Sequence, residues 1–295
     1  MRFSEETLKN WSRPASETEE VRISNAINMV KSAIEAHSIL KEQDIEYIVQ
    51  GSYANNTNVR KNSDIDICVM LKDTFYSKYR EGVGRDEYGF TKGTNGFDDF
   101  RKRVINAMNN KFDNNVTVGD KAIAIDSTSH RVQADVVPCF QYRDYRWDTD
   151  NDKDNFYEGT KFFSGSGKAI INYPKLHIEN GRNKNNRTGR RYKRMVRVFK
   201  NVTNHMRANG ENVPNGISSF LLECLLFNVP DNYFDNNLTW NENSSQLISY
   251  ALDNIDSQWT EVSGMFCLFH SGRKWNGEMV KNHFRNMCNY MGYTS

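Results

Sequence analysis

Several features that would classify a chain quickly are missing. No hydrophobic run is long enough to cross a bilayer, and the opening stretch MRFSEETLKNWSRPASETEE lacks the apolar core of a signal peptide. A cytoplasmic protein without membrane contact is therefore expected. The five cysteines, Cys68, Cys139, Cys224, Cys267 and Cys288, form no C-x-x-C pair and read as free thiols in a reducing compartment. The six histidines stand at no ligand spacing with one another, which argues against structural zinc. An excess of one charge is also lacking. Lys and Arg number 39 against 37 Asp and Glu, a net of +2, so any basic site must be local.

What is present is a polar chain of mean hydropathy −0.76. Its 295 residues allow one large domain or two. Ser16 and Glu19 fit a capping box, followed by Ile23, Ile27, Val30 and Ile34 at helical spacing, which predicts a long helix to Leu40. IEYIVQ and SDIDICVML read as strands around a Gly51-Ser52 turn, and residues 73–96 as an irregular connection. FDDFRKRVINAMNNKF reads as a helix. VTVGDKAIAID and HRVQADVVPCF read as an antiparallel pair, residues 141–155 as loop, and GKAIINYP as a further strand. After about residue 175 the pattern turns helical: a basic loop leading into GRRYKRMVRVFKNVTNHM, then GISSFLLECLLFNV, NSSQLISYALDNI and GEMVKNHFRNMCNYMG.

The chemistry concentrates in QGSYANNTNVRKNSDIDICVML. Strand side chains alternate, so Ile65, Ile67, Val69 and Leu71 face a core while Asp64 and Asp66 face the other way. In RVQADVVP the same alternation sets Asp135 opposite Val132, Ala134 and Val136. If the two strands are neighbours, three carboxylates converge. Close carboxylates repel unless a cation lies between them, and oxygen donors of this kind suit Mg2+. Three acids can hold two such ions, with Mn2+ as a substitute, in the arrangement used for in-line nucleotidyl displacement. A bare D-x-D is more often a solvated edge; the preceding turn and the third acid reverse that balance. Gly51 lets backbone approach a ligand closely, and Ser52 with the amides of SYANN can hold phosphate oxygens.

G-S, a spacer, S-D-I-D and a distant strand aspartate resemble the DNA polymerase β-like nucleotidyltransferase superfamily. INYPKLHIENGRNKNNRTGRRYKRMVRVFKNV and ISSFLLECLLF further resemble the bacterial cGAS/DncV-like nucleotidyltransferases of CBASS anti-phage defence, which make cyclic oligonucleotide signals. The resemblance implies an α+β fold: a mixed-sheet nucleotidyltransferase core at residues 1–175, a helical domain at 176–295, and an active site in the cleft between them. It implies NTP substrates (ATP, with UTP or GTP), no DNA or RNA template, a monomeric enzyme, and a separate effector that senses the product.

The basic helix carries Lys193, Arg197 and Lys200 on one face and no acid of its own, which favours an anionic ligand over a merely solvated face. By resemblance a late lysine of this helix contacts triphosphate. Lys200 is the match, with Arg197 as a second candidate that is equally well explained as structural. By the same resemblance Ser219 touches phosphate and Phe220 stacks on the base, although Ser218 reads as a helix cap and Phe220 fits an apolar core. Asn172 is the candidate base reader, pointing to pyrimidine use and UTP in particular, with Asn183 and Asn185 as rivals. Two other functions fit the same core: a linear polymerase of the oligoadenylate or RNA-tailing type, and a catalytically silent nucleotide-binding module.

Overall fold

The computed structural model describes the chain except residues 15–16, 60–63, 256–257, 271, 274 and 294–295, and the side chains of residues 17 and 18. The expected cap Ser16, and Ser63 of S-D-I-D, lie outside the described residues.

In chain order the elements are α1 (Glu5–Trp11), α2 (Glu17–Glu35), β1 (Ile45–Gln50), α3 (Gly51–Ala54), β2 (Ile65–Tyr79), α4 (Phe97–Phe112), β3 (Val116–Val118), β4 (Ile123–Ile125), β5 (Ala134–Tyr145), β6 (Tyr157–Phe163), β7 (Ala169–Asn172), α5 (Pro174–Arg187), α6 (Arg191–Ala208), α7 (Ser219–Asn228), α8 (Trp240–Asn254) and α9 (Gly277–Met291). They fall into two compact units. One joins residues 16–51 to 62–175 and holds the sheet; the other joins residues 1–15, 52–61 and 176–295 and is helical. Residues 1–14 and 52–59 group with the helical unit although they precede residue 175 in the chain.

In the sheet unit the strand order is β1-β2-β5-β4-β3. β2 runs parallel to β5 and antiparallel to β1. The opposite edge of β5 pairs with β4 near its start and with β6 further on. β2 is thus a central strand, and from Ile67 to Leu71 it is buried on both faces, Cys68 and Met70 included. The expected alternation of core and open faces holds only at the Asp66 end. α4 lays Phe97, Phe100, Val104, Met108 and Phe112 into the core, with the Phe100 and Phe140 rings 5.5 Å apart. Each such side chain taken fully out of water contributes about 1.5–3 kcal/mol.

Four expectations are corrected here. The long helix stops at Glu35, because the His37 ring accepts from the amides of Ile39 and Leu40 and turns the chain. β2 continues to Tyr79 past an irregularity between Leu71 and Phe75, so the first part of residues 73–96 is strand. Gln141 to Tyr145 is strand rather than loop, because β6, unrecognised in the sequence, pairs with it. ENGRNKNNR is helical within α5 and not a basic loop.

In the helical unit eleven of the eighteen residues of α6 are buried. Met195, Phe199, Val202 and Met206 meet Leu221, Leu225, Leu247, Phe284 and Met287 in one apolar cluster. The Glu5 carboxylate accepts from the Trp240 and Asn241 amides at 2.6 and 3.0 Å, placing negative charge where the α8 dipole favours it.

Candidate functional site

The acidic site is built from register. Asp66 on β2 pairs directly with Asp135 on β5, and Gln50 flanks Asp66 on the β1 side. Asp64, exposed, immediately precedes β2, whose first amide, Ile65, donates to the Gln133 carbonyl at 3.0 Å. The apolar partners Ile65, Ile67, Ala134 and Val136 are buried, which leaves both aspartates half-exposed on the other side of each strand.

Burial, then the negative charges of Asp135 and Asp64, push the Asp66 carboxyl up to about 6. Burial and Asp64 likewise raise Asp135. The influences on both carboxyls all oppose ionisation, and the donors are hard oxygens, the chemistry that fits a divalent cation such as Mg2+. Among the described residues no three His, Cys, Asp or Glu side chains close into a metal cage. Mg2+ takes one or two carboxylates and fills the remaining positions with water and phosphate.

Gly51 follows β1 with φ +74°, a conformation other residues rarely adopt. A Cβ there would lie 2.2 Å from Asp66 Oδ2. The glycine thus serves Asp66 as well as the turn.

The helical unit holds the remaining candidates. Ser52 is half-buried in α3, and its carbonyl accepts from the Thr57 amide at 2.8 Å. Arg197 is buried: its Nε donates to the Ser12 carbonyl at 2.7 Å, and its guanidinium also donates to the Asn56 carbonyl. Lys200 is 2% exposed. Its Nζ lies 2.9 Å from Thr57 Oγ1, 3.1 Å from the Thr57 carbonyl and 3.3 Å from Glu223 Oε2. The basic face therefore does have a compensating acid, supplied by α7. Burial pushes Glu223 up, but Lys200, His177 and Thr57 overcome it and hold the carboxyl down to about 2. Burial lowers Lys200 against the opposing pull of Glu223.

Ser218 caps α7 by accepting from the Leu221 amide at 3.1 Å, and leaves Ser219 exposed. Phe220 is 37% exposed rather than core, with the His177 and Trp275 rings 5.7 and 6.4 Å away. Asn172 is exposed at the end of β7, in the sheet unit. Asn183 is exposed on α5 in the helical unit, and Asn185 Oδ1 accepts from the Lys193 amide, which ties the two helices together.

Sequence reasoning missed Thr57, His177 and Glu223. Glu223 was detectable, since a carboxylate inside FLLECLLF must find a partner.

Comparison with known proteins identifies both parts. Residues 33–151 match the nucleotidyltransferase domain model, and residues 179–292 match the cGAS/DncV-like nucleotidyltransferase C-terminal helical domain. The chain is 39% identical to a cyclic dipyrimidine nucleotide synthase CdnE of Cecembia lonarensis, over 99% of each chain. It is similar to the structure of Elizabethkingia meningoseptica CdnE cyclic dinucleotide synthase with GTP and Apcpp (TM-score 0.82, 34% identity, 99% of this chain and 100% of that one). It also resembles the Rhodothermus marinus CdnE c-UMP-AMP synthase with Apcpp and Upnpp (TM-score 0.87, 29% identity, 99% and 98%). With the acidic strand pair, the glycine turn and the helical domain all in place, the chain belongs to the cGAS/DncV-like nucleotidyltransferases, enzymes of the cyclic nucleotide synthase type.

Proposed function

We propose that the protein condenses nucleoside triphosphates, without a template, into a cyclic di- or trinucleotide second messenger for anti-phage signalling, with release of pyrophosphate. The observation that carries this reading is the Asp66–Asp135 register with Gly51 packed against it, in a chain of this family. Asp64, Asp66 and Asp135 would hold two Mg2+, with Mn2+ as a substitute. When bound, the ions would make the α-phosphate more electrophilic and neutralise charge on the departing pyrophosphate. The protein's own groups supply the rest. Asp135, raised by burial and by Asp64, receives the proton of an attacking 3′- or 2′-hydroxyl. Ser52 and Ser219 orient phosphate oxygens, and Phe220 offers its half-exposed ring to a base. A second attack of the same kind closes the ring. The protein would act as a monomer in the cytoplasm, and a separate effector would sense the product. Among the described residues no helix is long and apolar enough to cross a membrane.

Base choice differs among the relatives. Relatives at 39%, 36% and 31% identity are respectively named cyclic dipyrimidine, cyclic dipurine and cyclic UMP-AMP synthases. Asn172 is the candidate for pyrimidine selection, with Asn183 as the rival.

Incubation with labelled NTPs and Mg2+, followed by mass spectrometry, tests this function. A phosphatase-resistant product of two or three nucleotides, absent for Asp66→Asn, is the expected result. A ladder of lengthening products, or none under any NTP mixture, overturns it. Product masses from an equimolar NTP mixture identify the bases.

A further inference from the structure

Glu223 is the single charged residue in the apolar stretch FLLECLLF and is 3% exposed. Its two oxygens reach three different segments. Oε1 meets His177 Nε2 on α5 at 3.2 Å. Oε2 accepts from Thr57 Oγ1 at 2.8 Å and faces Lys200 Nζ at 3.3 Å. An ammonium has three N–H donors, and here Thr57 Oγ1, the Thr57 carbonyl and Glu223 Oε2 stand around it. In this arrangement Lys200 is saturated by protein oxygens. Thr57 in turn closes the segment that begins at Ser52, since its amide donates to the Ser52 carbonyl. Arg197, from the same face of α6, grips the Asn56 carbonyl next to it.

We propose that Glu223 is a positioning residue for nucleotide binding: through Lys200 and the Thr57 hydroxyl it fixes the Ser52–Thr57 turn as the seat for phosphate. This rests on the nucleotidyltransferase reading above. The hydroxyl is the informative atom. It accepts from Lys200 and donates to Glu223, so it reads both charges at once.

The test uses the full-length protein with Mg2+, a non-hydrolysable NTP analogue for binding by calorimetry, and NTPs for steady-state kinetics. Thr57→Val keeps the shape and removes the relay; a rise of about tenfold in Kd and KM is expected, with kcat changed much less. Thr57→Ser restores both, and Glu223→Gln moves them in the same direction as Thr57→Val. Thr57→Val combined with Lys200→Met is no worse in Kd than the worse single variant, as expected for residues acting through one another. Unchanged Kd and KM with only a lower Tm or a smaller folded fraction overturns the proposal, as do losses that add in the double variant. A wild type that binds the analogue but makes no cyclic product defeats the proposed function alone, and the Kd comparison still decides the role of Glu223. A wild type that binds no NTP defeats both.

Discussion

Gly51 and Asp66 share one small volume: a Cβ on Gly51 would lie 2.2 Å from Asp66 Oδ2. The backbone at Gly51, with φ +74°, also disfavours a side chain, by ~1–2 kcal/mol. Gly51→Ala is expected to lower stability by roughly that amount and to displace the Asp66 carboxylate. Misplacement on that scale costs on the order of 100-fold in rate. Chemical denaturation and kcat of the same preparation check the two effects separately.

Metal binding should be visible without turnover. Asp64 and Asp135 repel Asp66, so a divalent cation relieves a native-state penalty. Saturating Mg2+ is expected to raise the wild-type Tm by roughly 3 °C or more. Asp66→Asn should be at least as stable as wild type in EDTA, gain little from Mg2+, and lose activity by about 1,000-fold. Thermal melts with and without Mg2+ decide it.

Phe220 offers a ring to solvent at the start of α7, one turn before the buried Glu223. Phe220→Ala should raise KM for NTPs by roughly tenfold, in line with ~1–3 kcal/mol of base–aromatic stacking, whereas Phe220→Tyr keeps the ring and stays near wild type. Equal KM values for all three would return Phe220 to a packing role.

Breaking the buried pair from the cationic side should cost stability. Lys200→Met leaves Glu223 charged and enclosed, at a cost of about 3–5 kcal/mol. Urea titration measures it, and Lys200→Met combined with Glu223→Gln should recover part of the loss because no uncompensated charge remains.

Acid should weaken the fold through His283. Its Nε2 pairs with Thr203 Oγ1 at 3.1 Å in the helical core. Burial, helped by Arg207, pushes the ring down to about 4. Because the folded state resists protonation, the ring's contribution is complete above the unfolded value of 6.5 and is lost as pH falls from there toward 4. At pH 4.5 the loss should reach about 2–3 kcal/mol relative to pH 7. Urea midpoints across that window should flatten on the acid side in His283→Gln.

The acidic strand pair was legible because alternation is local: Asp66 between Ile65 and Ile67, and Asp135 between Ala134 and Val136, face opposite their apolar neighbours whatever the rest of the chain does. Helices with one continuous apolar stripe, such as α4 and α9, were legible for the same reason. β6 and the second half of β5 were not, since Gln141 to Tyr145 becomes strand only when residues 157–161 pair with it. The basic face of α6 shows the deeper limit. Residue spacing put Arg197 and Lys200 side by side, and the sequence by itself determined that much. Only the tertiary structure brought Glu223 and Thr57 to Lys200, and Ser12 and Asn56 to Arg197. A charge removed from water must be matched by whatever the fold places within hydrogen-bond reach, and here those partners come from distant parts of the chain.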